Sequence, residues 1–151
     1  MDRGPAQAWE LSVDFEGFAT VVLRSMADAL VYADAAGTIR YWNAAAERMF
    51  GFTAAEALGQ RLDIIVPEPL RRRHWEGYDK TMRTGHSRYG EGDVLAVPAI
   101  RKDGSRISIE FTITPFRDDA GDMVGIAAVI RDVTKRFEEM QALRRRVAPA
   151  S

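Results

Sequence analysis

The chain has 151 residues, with 21 basic against 22 acidic side chains, two histidines and no cysteine. That length suits one domain with a buried core, and the near-neutral balance offers no field for nucleic acid or a membrane surface. The missing cysteines exclude disulfides, thiolate metal sites and a cysteine nucleophile, and without an 18-residue apolar run or a signal-type leader a complete small cytoplasmic protein is expected.

Residues 1–13 show no pattern and read as a lead-in. From Asp14, the residues Phe15, Phe18, Val22 and Met26 recur at helical spacing, with Val21 and Leu23 widening the stripe. Such a helix either caps the core or pairs with a partner chain. Ala29–Asp34 is strand-like, Ala35-Ala36-Gly37 is a turn, and Thr38–Trp42 is the return strand. Asn43 has an N-capping side chain for a short helix that stops at Gly51. Thr53, with Glu56 three residues on, forms a capping box for a second, ended at Gly59.

Leu62–Val66 leads into a proline-bounded helix expected from about Glu68 to Arg83, closed by Thr84-Gly85. Three strands follow: Val94–Ile100, Arg106–Phe116 and Met123–Ile130, separated by the Lys102-Asp103-Gly104 and Asp118–Asp122 turns. Pro98 places the first of them at an edge or a bulge. A final helix after Thr134 carries Phe137, Met140, Leu143 and Val147, a spacing that suits a short coiled-coil seam. The order predicts an α+β fold, a five-stranded antiparallel sheet with helices on one face.

Catalysis finds no support: no Ser-His-Asp set, P-loop or paired carboxylate in an apolar context stands out, so no enzyme is expected. Asp118, Asp119 and Asp122 are turn formers. Arg71-Arg72-Arg73 and Arg144-Arg145-Arg146 read as solvated faces, the second favoured by the helix dipole.

Taken with Trp42-Asn43-Ala44-Ala45-Ala46-Glu47-Arg48-Met49-Phe50-Gly51, Thr53-x-x-Glu56-x-x-Gly59, Arg101-Lys102-Asp103-Gly104-Ser105 and Arg131-Asp132-Val133-Thr134, this order resembles the PAS sensor domain family over roughly Met26–Arg136. The resemblance implies a sensory or dimerisation module whose sheet and short helices enclose a small-molecule cavity. It divides the chain into a flanking segment 1–25, the PAS domain 26–134 and a signalling helix 135–151. Signal would leave through the final strand, with Asp132 and Thr134 at the junction, and Glu56 and Lys102 resemble the family's helix-to-hairpin pair. A homodimer is implied, passing its state to a separate kinase, cyclase or regulator.

Within the family, Pro67-x-x-Leu70-Arg71-x-x-His74 resembles the segment that gives the proximal iron ligand in haem-binding PAS oxygen sensors. A neutral imidazole on a rigid helix suits haem b. Tyr78 would lie one turn on, and Ile64, Ile65, Leu95, Val97, Ile113, Ile126 and Val129 would wall the pocket. The sequence departs from the rhizobial sensors at their distal arginine, which falls at Leu95, and from a related class at its distal methionine, which falls near Asp93. An apolar distal side would favour carbon monoxide or nitric oxide over dioxygen. Read as residues alone, Arg71-Arg72-Arg73-His74 is equally a solvated helix face, and His86 is an exposed loop residue. The absent cysteine excludes cysteinyl flavin photochemistry. A non-covalent flavin near Trp42 and Asn43, or a ligand-free interaction module, remains the alternative.

Overall fold

Strands with alternating apolar residues must pair so that one face is dry, and here the last strand takes the centre. The computed structural model describes residues 14–86 and 95–147, with Leu95 by its backbone alone. Its strands are β1 (Ala29–Asp34), β2 (Ile39–Trp42), β3 (Leu95–Ile100), β4 (Arg106–Arg117) and β5 (Met123–Asp132). They form one sheet in the order β2-β1-β5-β4-β3, antiparallel throughout. Pro98 accordingly lies in an edge strand, where its missing N–H is tolerated. The lead-in 1–13 and Val94, the expected first residue of β3, lie outside the described residues.

The helices are α1 (Phe15–Ser25), α2 (Ala44–Phe50), α3 (Ala54–Ala57), α4 (Arg71–Thr84) and α5 (Thr134–Val147). Asn43 caps α2 by accepting from Ala46 N–H, and Gly51 closes it in the left-handed conformation. Thr53 and Glu56 form both halves of the capping box on α3, which ends at Ala57, two residues before Gly59. The expected helix from Glu68 starts later. Glu68–Leu70 makes a 3-10 turn, and the α-helical ladder begins at Arg71. Pro69 disfavours the α region at the preceding Glu68, so the first turn closes as a 3-10 turn, with Leu70 N donating to Pro67 O at 2.9 Å, before the α ladder starts.

The register assigns each side chain to a face. Ala29, Val31 and Ala33 stand opposite Ile130, Ala128 and Ile126, which continue to Phe111, Ile113 and Pro115 of β4. This face carries the core, where Phe50 and Ile39 are the largest fully buried side chains and Trp42 packs on Phe50 at 5.4 Å between ring centroids. The flanking helices are less covered. α1 half-buries Ala19 and Leu23 and exposes Phe18, Val21 and Val22. Along α5 the expected seam is split. Phe137 and Met140 lean over the outer side of β3 and β4, lining a groove of about 490 Å³ with Pro98 and Glu110, whereas Leu143 lines a separate hollow with Glu139 and Arg146.

Candidate functional site

Helix α4 lies with three aromatic rings at the end of the sheet where β1 turns into β2. Tyr78, the deepest, is buried in a cluster with Ala33 and Ile126, ringed by Leu62, Trp75, Met82, Ile113 and Met123. Its hydroxyl donates to Asp34 O at 2.5 Å. Burial, with the Asp34 charge adding, pushes the phenol well above its ordinary range, so Tyr78 is a neutral donor.

His74 is one turn earlier and half-buried, its ring 5.9 Å from Tyr78 and 4.8 Å, edge-on, from Trp75. Its Nδ1 is buried and has no hydrogen-bond partner among the described residues. Burial lowers its pKa, the Asp63 carboxylate pulls the other way, and the Arg61 charge lowers it further. The imidazole is therefore held uncharged at neutral pH. Trp75 donates its Nε1–H to Asp63 Oδ1 at 2.6 Å and carries the Arg61 guanidinium 4.0 Å over its ring. Its six-membered ring rests against Gly37 in the β1–β2 turn.

The structure brings Tyr78, Ile113 and Ile126 into one cluster, with His74 beside Tyr78. Ile65 and Ile64 belong to the adjoining cluster with Ile109, Ile130 and Phe50. Val97 shares the inner register through Ile109 but, on the edge strand, is 39% exposed. Leu95 pairs with Phe111 through its backbone, and its side chain and Asp93 lie outside the described residues. Val129 corrects the expected wall. It pairs with Leu30 and Thr112 on the opposite face from Ala128 and Ile130, because neighbouring strand residues point to opposite sides. His86 is exposed, as expected. Arg72 pairs with Glu76, a solvated i,i+4 contact.

At the junction, Asp132 Oδ1 accepts from Thr134 N at 2.9 Å. Thr134 Oγ1 accepts from Ser108 N at 2.9 Å and Val133 N donates to Ser108 O at 2.8 Å. The start of α5 is thus fastened to β4. Glu56 and Lys102 meet as a salt bridge, which, together with the Thr53 backbone N–H, brings the exposed carboxyl down to about 2.

A family model described as the PAS fold matches residues 23–138, from inside α1 to the first turn of α5. The chain belongs to this family. As a PAS domain it shares the five-stranded antiparallel sheet and overlying helices of solved relatives. One is a PAS domain from Colwellia psychrerythraea, with TM-score 0.71 at 23% identity, covering 82% of this chain and all of that one. Another is an RNA-binding Light-Oxygen-Voltage receptor, with TM-score 0.72 at 24% identity over 96% of this chain and 40% of that one. Among curated proteins, the sensor protein FixL of Bradyrhizobium diazoefficiens is 31% identical over 127 residues, 80% of this chain. The oxygen sensor protein DosP of Escherichia coli is 28% identical over 106 residues, 70% of this chain. The chain spans 25% of FixL and 13% of DosP. Among the described residues, no helix of this PAS sensor domain is long and apolar enough to cross a membrane.

Trp75, Arg61 and Asp63 did not emerge from the sequence as site residues. Arg61 and Asp63 precede Trp75 by 14 and 12 positions across a change of element, so no helical or strand period links them. The available signal was a tryptophan next to the candidate ligand.

Proposed function

We propose that this PAS domain senses a small molecule held against His74, with haem b as the ligand that fits best. The observation that carries this reading is the imidazole itself: partly enclosed, uncharged, and with a buried nitrogen that has no partner among the described residues. A buried polar atom without a hydrogen bond is costly, so the imidazole nitrogen calls for a partner that the described residues do not supply, and a bound ligand would be one. The donor fits haem, which takes a neutral histidine and an apolar enclosure. Ile113 and Ile126 would supply the wall nearest His74, with Ile64, Ile65, Leu95 and Val97 further along it, and Val129 takes no part. The likeness to an oxygen sensor protein supports the same ligand class. Bound haem would supply iron able to take a diatomic gas or change redox state.

The chain's own residues then connect site to exit. Tyr78 shares a buried cluster with Ala33 and Ile126, and β5 runs from Ile126 to the Asp132–Thr134 fastening at the start of α5. A displacement of α4 therefore reaches the helix that would act on a separate kinase, cyclase or regulator. Protein purified from haem-supplemented cells is expected to show a strong Soret band that His74→Ala loses. A colourless unsubstituted protein overturns the haem reading.

A second reading, a homodimerising interaction module, is favoured by the exposed apolar residues Phe18, Val21, Leu143 and Val147 on the two flanking helices. Deleting residues 135–151 is expected to shift sedimentation toward the monomer. An unchanged distribution would place any dimer contact elsewhere.

A further inference from the structure

The charge beside His74 identifies the ligand more narrowly. Arg61 is held at its backbone, because it pairs with Thr38 in an isolated antiparallel bridge and is flanked by the bonds Ile39 N to Gln60 O at 2.8 Å and Leu62 N to Gly37 O at 3.1 Å. Its guanidinium lies over Trp75, the immediate neighbour of His74. The guanidinium carbon is 4.0 Å from the centroid of the Trp75 ring, and a guanidinium over an aromatic ring still has N–H donors able to take a carboxylate.

No protein carboxylate takes that role among the described residues. The nearby Asp63 is turned to the Trp75 indole. Asp34, Glu76, Glu56 and Asp28 are paired with Arg40, Arg72, Lys102 and Arg131 respectively. Arg61 and Asp63 are also the two charges felt by His74. The site thus presents an uncharged imidazole, an aromatic ring and an exposed cation, held at its backbone, with no salt-bridge partner among the described residues.

The geometry points to Arg61 as the anion contact of the His74 site, and hence to a ligand that is a planar ring bearing a carboxylate. This rests on the reading above only in that the site takes a ligand. It does not require iron.

Metal-free protoporphyrin IX and its dimethyl ester separate the two ideas. Each is titrated into protein purified without added haem, with tryptophan quenching and porphyrin emission as readouts, for the unsubstituted chain, Arg61→Gln and Arg61→Lys. The diacid is expected to bind about tenfold tighter than the ester, a typical gain for a charge-assisted pair. Arg61→Gln should bring the diacid down to the ester's affinity and leave the ester unchanged, while Arg61→Lys recovers part of the difference. Equal binding of diacid and ester, equal weakening of both by Arg61→Gln, or binding of neither overturns the inference. A His74-dependent Soret band without any Arg61 effect overturns it and spares the haem reading. Arg61-dependent diacid binding without that band does the reverse.

Discussion

Replacing Asn43 by alanine is expected to destabilise the domain by about 3–4 kcal/mol, the sum of a lost helix cap and buried groups left without partners. The side chain is 3% exposed. Its Oδ1 accepts from Leu30 N at 2.9 Å and from Ala46 N at 3.0 Å, while Nδ2 donates to Leu23 O at 3.0 Å and Asp28 O at 3.1 Å. One amide therefore joins the end of α1, the start of β1 and the first turn of α2. For a domain of this size the loss lowers the melting temperature by roughly 10 °C. Asn43→Asp separates the two halves of the network. It keeps both accepting bonds and loses both donations, so amide exchange in the last turn of α1 should rise more than in α2. A melting temperature within about 2 °C of the parent for Asn43→Ala would show that water replaces these bonds at little cost.

That network also marks how far the sequence could be read. Asn43 was recognisable as a cap because capping is local, three residues from acceptor to donor. Its hold on Leu23, 20 positions away, was not, since nothing in the spacing of the intervening residues encodes it. The strands were legible for a similar reason. β1 was read at its full extent, Ala29–Asp34, because Gly37 and alternating neighbours bound it. The face of Val129 was misread because β5 runs Ile126-Ala127-Ala128-Val129-Ile130, apolar on both faces, as a central strand should be. There the period-two signal vanishes and the register alone decides. The site divides likewise: His74 and Tyr78 share one helix and were found together. Arg61, Asp63 and Gly37 meet Trp75 only through tertiary packing.

Gly37→Ala tests whether that packing positions the His74 helix. Gly37 has φ +80°, and a Cβ there would run into the six-membered ring of Trp75. Two costs then add: about 1–2 kcal/mol for an L-residue in the left-handed region, and about 1–3 kcal/mol for overpacking a ring that cannot retreat freely. Trp75 is constrained because Asp63 holds its Nε1–H and Arg61 covers its face. Gly59 supplies the control. It has φ +85° with nothing within 4 Å of an added Cβ, so Gly59→Ala carries the backbone cost alone. The expected result is that Gly37→Ala lowers the urea midpoint clearly more than Gly59→Ala does. It should also change tryptophan emission, because the indole must move, whereas Gly59→Ala leaves that emission in place. Equal midpoints and unchanged emission in the two variants would mean that Trp75 yields without cost. The β1–β2 turn would then have no part in setting where α4 presents His74.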